Sequence, residues 1–237
     1  MPQELVSTVP GRVLAVYAHP DDPDVSCGGT LALWARGGSE IHVAICTKGD
    51  KGTSDPNISP VELADRRAGE AARAAEALGL AGQHALGYSD GELPDERALC
   101  AELVALIRKI RPALVLCPDP TAVFFGEDYF NHRDHRTVGL AALDAVSPAA
   151  ALPLYFPGAG PAHQVETTLM SGTLEPNVCV DVSTTIEDKL AAVSCHASQF
   201  ADGGEWARRA VRLRAEEDGR RAGVACAECF RRLRLGG

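Results

Sequence analysis

Two short stretches of this 237-residue chain hold side chains whose types and spacing could do chemistry together. In Ala18-His-Pro-Asp-Asp-Pro-Asp-Val-Ser-Cys-Gly-Gly29, the residues His19, Asp21 and Asp22 fall within four positions, on a turn stiffened by Pro20 and Pro23. Adjacent carboxylates repel, and a shared divalent cation removes that penalty. Neighbouring side chains of an extended turn point in different directions, so one aspartate can join His19 on a metal while the other addresses a water. The second stretch is Phe130-Asn-His-Arg-Asp-His-Arg136, where His132 and His135 are three apart and share a face on a helix. Catalytic zinc commonly takes three nitrogen or carboxylate ligands and keeps one position for water, so one more histidine completes the set. Plainer readings compete. Asp21, Asp22 and Asp24 are also good caps for a following helix, and the two histidines also suit the surface of a helix start. Cys27-Gly28-Gly29 lacks the rest of the Gly-x-Gly-x-x-Gly pattern, which counts against a dinucleotide turn.

The elements that must position these residues alternate along the chain. Strand-like runs at 12–18, 40–46, 83–87 and 112–117 are separated by helix-period segments at 28–37, 60–79 and 96–110. Ser59-Pro60 with Glu62 opens the second of these helices, and Gly79 closes it. A further helix is expected over 131–147, strands over 164–170 and 177–182, and helices over 184–198 and 204–233. The alternation predicts an α/β fold: a Rossmann-like, mostly parallel sheet flanked by helices, with a C-terminal extension, all in one domain over 1–237. In such sheets ligands gather at the C-terminal strand ends, where the His19 stretch lies.

Composition narrows the partners. A net charge of −9 repels nucleic acid and anionic membranes, and no apolar run approaches a bilayer span. The arginines between Arg208 and Arg234 interleave with Glu205, Glu216, Glu217 and Asp218, as on a solvated helix face. With no export signal at its start, the chain is expected in the cytoplasm. Its eight cysteines are expected as reduced thiols, Cys46, Cys117 and Cys179 among them, and Cys226-Ala-Glu-Cys229 as part of a helix without a metal or redox role. A homo-oligomer is compatible with all of this.

Taken together the motifs resemble the PIG-L/LmbE family of zinc-dependent N-deacetylases. The resemblance rests on His19-Pro-Asp-Asp22 and His132-x-x-His135, supported by Cys27-Gly-Gly-Thr30, Thr47-Lys-Gly-Asp50, Arg67-x-x-Glu70, Asp90-Gly-Glu-Leu93, Cys117-Pro-Asp-Pro120 and Cys195-His-x-Ser-Gln199. It implies one Zn2+ per chain, or another divalent metal, held by His19, Asp22 and His135. It implies Asp21 as general base and His132, protonated, as the group that steadies the oxyanion. It implies a small-molecule substrate carrying an N-acetylated amino sugar. Asp90 and Arg67 are expected at the substrate, and His196 near the site as a further substrate-binding residue. Pro23 departs from the family, which usually has glutamate there, and Asp24 is the nearest substitute for its support of the metal.

Alternatives remain open at this point. The same metal site could cleave a larger amide, such as a thiol-cofactor conjugate. Two histidines and a carboxylate also make the facial triad of a non-haem iron oxygenase, although the β-α-β alternation argues against it. A silent binding module would be expected to have lost ligand residues, and none is missing. His42 and His84, on or near strands, are expected to be structural.

Overall fold

A computed structural model describes residues 4–94, 96–200 and 204–235; residues 1–3, 95, 201–203 and 236–237 of the expected domain lie outside them. The chain runs β1 (Glu4–Leu5), β2 (Arg12–Tyr17), α1 (Asp22–Arg36), β3 (Glu40–Thr47), α2 (Pro60–Leu78), β4 (Gly82–Tyr88), α3 (Glu96–Ile110) and β5 (Leu114–Pro118). A short hairpin, β6 (Phe124–Phe125) and β7 (Tyr129–Phe130), leads into α4 (Arg133–Asp144). Then come β8 (Thr167–Ser171), β9 (Val178–Asp181), α5 (Ile186–Ser194), α6 (Glu205–Ala222) and β10 (Ala227–Arg234).

Eight strands form one sheet in the order β1-β9-β10-β8-β5-β2-β3-β4. From β4 to β8 all pairings are parallel, and β10 alone runs antiparallel to both of its neighbours. Helices cover both faces, and the residues of β2 alternate between them. Val13, Ala15 and Tyr17 pack with Leu31 and Trp34 of α1 and Leu190 of α5. Leu14 and Val16 pack with Leu103 and Ile107 of α3 and Val138 of α4. Burial on both faces is what an uninterrupted apolar strand reports. Successive crossovers carry the chain from β2 outward to β3 and β4, and β5 then returns to the other side of β2. The switch point therefore lies at the C-terminal ends of β2 and β5, the crevice where open α/β sheets bind ligands.

The first helix begins six residues earlier than expected, at Asp22 rather than 28, and is broken by non-helical backbone at Cys27. The helix expected over 204–233 is instead α6 followed by β10. Gly223, left-handed at φ 79°, ends α6, and the chain returns as a strand. In that strand Cys229 sits directly opposite Cys179 of β9 and the two form a disulfide, which corrects the expectation of reduced thiols at these positions and of a helical Cys-x-x-Cys. Cross-strand register, invisible in the spacing of the cysteines, brings them together. Cys27, Cys46, Cys100, Cys117, Cys195 and Cys226 are free. Among the described residues no helix is long and apolar enough to cross a membrane.

Candidate active site

His19 leaves the end of β2, and Asp22 opens α1. Pro23 occupies the first turn of that helix, where its missing N–H costs nothing, so the departure at this position suits the backbone. The Asp22 carboxylate turns back, with Oδ2 accepting the His19 amide at 2.8 Å and lying 3.3 Å from His19 Nδ1. On the other side of the switch point α4 brings in His135, whose Nε2 lies 3.1 Å from His19 Nδ1 and 3.2 Å from Asp22 Oδ1. A tetrahedral ion with bonds of about 2.05 Å spaces its ligands about 3.3 Å apart. The three groups match that spacing.

The groups behind them fix ring orientation. Asn131 Oδ1 lies 3.0 Å from His135 Nδ1, which places the proton there and leaves the Nε2 lone pair facing the cluster. Asp90 Oδ1 lies 3.2 Å from His19 Nε2, and Asp134 Oδ2 lies 3.6 Å from it. His19, Asp90, His132 and Asp134 are also close enough to form a second grouping of possible ligands that shares His19. Asp134 is enclosed and already accepts the Gly91 amide at 2.7 Å, so it ties the Asp90 turn to the cluster.

Electrostatics favour a cation at this point. Burial works against a charged His19, yet Asp22, Asp134 and Asp90 outweigh it and raise the imidazole to about 12. Asp22 is held well below the carboxylate range by His135 and His19, against the opposing effect of burial. His132 behaves differently. Burial and the neighbouring His19 lower its pKa, while Asp134 and Asp90 pull it up by less. The backbone N–H of Asp134 donates to His132 Nδ1 at 3.3 Å, so the neutral ring carries its proton on Nε2. The structure thus favours a neutral N–H donor over the protonated imidazole expected from the sequence.

Asp21 stands at the N-cap of α1 but makes no capping bond. Arg67 Nη2 donates to its Oδ1 at 2.6 Å, and Arg67 Nη1 donates to the Gly49 carbonyl at 3.0 Å. Gly49 has φ 62°, and a Cβ there would collide with the guanidinium, so glycine is needed twice over. Arg67, expected at the substrate, is buried beneath Gly49 and serves as the partner of Asp21; its Nε has no hydrogen-bond partner. Asp90 is positioned by Asp50, whose Oδ1 accepts the Asp90 amide at 2.7 Å while its Oδ2 accepts the Ser89 hydroxyl, also at 2.7 Å.

His196 does not join the cluster. It is fully enclosed and its Nε2 is bound to Asp24 Oδ2 at 2.6 Å, which corrects the expectation that it meets substrate. Helix α1 turns Asp24 into the protein, so this carboxylate bonds the C-terminal segment rather than the ligand set. That segment makes a second tie: Glu228 of β10 accepts the Gly29 and Thr30 amides at 3.0 and 2.8 Å, capping α1 where it resumes after Cys27, and buried Lys189 pairs with it. The sequence assigns no chemical task to Asn131, Asp134, Asp50 or Glu228. For Asn131 a signal was present, since Asn131 and His135 are four apart at a helix start.

A mostly parallel α/β sheet with an imidazole–carboxylate cluster at its switch point, spaced for a divalent ion beside a separately held aspartate, defines a class: the metal-dependent hydrolase scaffold. Residues 14–146 match the family model described as PIG-L, GlcNAc-PI de-N-acetylase, and the chain belongs to that family. The chain is 39% identical over 196 residues to diacetylchitobiose deacetylase of Thermococcus kodakarensis, covering 81% of this chain and 71% of the relative. It is 27% identical over 248 residues to 1D-myo-inositol 2-acetamido-2-deoxy-alpha-D-glucopyranoside deacetylase of Rhodococcus jostii, covering 79% and 81%. Among solved structures, N,N'-diacetylchitobiose deacetylase from Pyrococcus horikoshii superposes with a TM-score of 0.87 at 32% identity, covering 95% of this chain and 84% of that one. The expected family and α/β architecture both hold. These relatives are named as deacetylases, hydrolases of amide bonds, and not as oxygenases.

Proposed function

We propose that this protein, with residues 1–237 acting as one domain, is a zinc-dependent N-deacetylase that removes acetyl from the amino group of an amino-sugar-containing small molecule. The observation that carries the reading is the convergence of His19 Nδ1, the Asp22 carboxylate and His135 Nε2 within 3.1–3.3 Å of one another, beside an Asp21 that takes no part in it. In this reading His19, Asp22 and His135 hold the metal. Asp134 and Asp90 stand behind His19 as carboxylates behind a ligating imidazole. Two nitrogens and one carboxylate, with a position left open, are a donor set that suits zinc. When bound there, zinc polarises the amide carbonyl and makes water a better nucleophile at neutral pH.

The side chains divide the remaining work. With one oxygen held by Arg67, Asp21 offers the other to the attacking water and takes its proton as the water oxygen bonds to the carbonyl carbon. His132 donates through Nε2–H to the carbonyl oxygen as negative charge builds on it; such a donor is worth about 3 kcal/mol in a transition state. Asp21 then returns the proton to the nitrogen as the C–N bond breaks, giving a free amine and acetate. The partly exposed Asp90 is placed to meet sugar hydroxyls. The names of the relatives support the amino-sugar class.

The test is acetate release from an N-acetylglucosamine disaccharide. The reading requires release that stops after chelation and returns with zinc. Release of fragments only from larger amide conjugates would assign the site to an amidase instead.

A further inference from the structure

Toward the N-terminal ends of the strands, away from the cluster at the switch point, His42 of β3 and His84 of β4 face each other. We propose that these two histidines form a second metal site, which takes an imidazole-preferring divalent ion such as zinc or copper.

Three observations carry the proposal. First, His42 Nδ1 and His84 Nε2 lie 3.2 Å apart, close to the spacing of about 3.3 Å that two nitrogens adopt on one tetrahedral ion. Second, the other nitrogen of His42 is committed: Nε2 lies 3.0 Å from Glu40 Oε1, and Glu40 is itself held by Arg12 Nε at 2.9 Å. A carboxylate behind the ring puts the proton on Nε2 and leaves the Nδ1 lone pair facing His84, the arrangement that orients metal-binding histidines. Third, Gly82 is the register partner of His42, and a Cβ there would lie 2.8 Å from His42 Nδ1 and 3.9 Å from His84 Nε2. Its φ lies outside the left-handed region, so the backbone makes no demand for glycine; what the glycine supplies is open space in front of the two nitrogens.

Burial, His42 and Lys109 all lower the pKa of His84, which keeps it neutral, the form a ligand requires. Without metal, His84 Nε2–H donates to His42 Nδ1; when the ion binds, that proton moves to His84 Nδ1 and both facing nitrogens offer lone pairs. With two protein ligands and Arg12 and Lys109 nearby, the site binds more weakly than a three-ligand centre. Bound, the ion links edge strand β4 to β3.

The experiment is dialysis of the full chain against excess zinc, followed by elemental analysis of wild type, His84→Gln and Gly82→Ala. Gly82→Ala keeps both ligands and fills the space, so it tests the geometry even if His84→Gln misfolds. The proposal expects wild type to hold one equivalent more than either variant. It also expects wild type loaded with two equivalents of copper to show a second two-nitrogen signal by electron paramagnetic resonance, beside that of His19 and His135, and His84→Gln to lose the second signal alone. Equal zinc in all three proteins would overturn it and leave the pair as an N–H···N hydrogen bond.

Discussion

Arg67 Nη2 and Asp21 Oδ1, 46 positions apart in the chain, meet at 2.6 Å. This contact separates two adjacent aspartates into two environments. Asp22 faces His19 and His135, while Asp21 faces the arginine and keeps one oxygen free. Substituting Asp21→Asn keeps the shape and removes the proton acceptor. Zinc content should stay at the wild-type level while turnover falls by about 10²- to 10⁴-fold. Steady-state rates with metal analysis on the same samples check it, and near wild-type turnover would move the base elsewhere.

His132→Ala tests the oxyanion donor. The three proposed metal ligands remain, so metal should be retained. An interaction made only in the transition state lowers kcat and kcat/KM together and leaves KM little changed. Loss of zinc in this variant would instead make His132 a ligand, as in the grouping with Asp90 and Asp134.

Asp50 gives a pH-dependent signature. Burial raises its pKa, but the Asp90 amide and the Ser89 hydroxyl outweigh this and bring it below the usual carboxylate value. A depressed folded-state pKa contributes stability that is present above the unfolded value and is lost as pH falls through the folded one. Asp50→Asn does not titrate. The stability gap between wild type and variant should therefore be constant above about pH 5 and shrink below about pH 4. Urea unfolding at a series of pH values measures it, and a gap that widens in acid would contradict the assignment.

Arg108 is the structural counterpart of these polar contacts. Its buried guanidinium donates to six backbone carbonyls, those of Ala149, Ala150, Leu152, Tyr155, Phe156 and Gly160, at 2.8–3.2 Å. Arg108→Met leaves those carbonyls without their shared donor. We expect a loss of about 3 kcal/mol or more, with new proteolytic cleavage between 149 and 160. Unfolding curves and mapped cleavage sites report both.

Legibility in the sequence followed distance along the chain. His19 and Asp22 are three positions apart, and so are His132 and His135, so their shared destination showed in their spacing. The strands β2, β3 and β5 showed as apolar runs because both of their faces are buried. By contrast, the pairing of Asp24 with His196 spans 172 positions and that of Glu228 with Gly29 spans 199, and no local pattern encodes them. The same holds for β10, whose arginines imitate an exposed helix. They are in fact paired with acidic residues of other segments, Arg232 with Glu4 of β1 and Arg231 with Glu175. The alternation of a strand is masked when charged residues find partners on both faces. Arg67 shows in the Arg67-x-x-Glu70 motif, but its ion pair with Asp21 and its burial under Gly49 depend on a turn that only the folded chain forms.

Anomalous diffraction at the zinc edge, on crystals grown with one equivalent of zinc per chain, locates the metal among these side chains. A peak is expected between His19 Nδ1, the Asp22 carboxylate and His135 Nε2. A peak on the other side of the His19 ring, among Nε2, Asp90, His132 and Asp134, would contradict it.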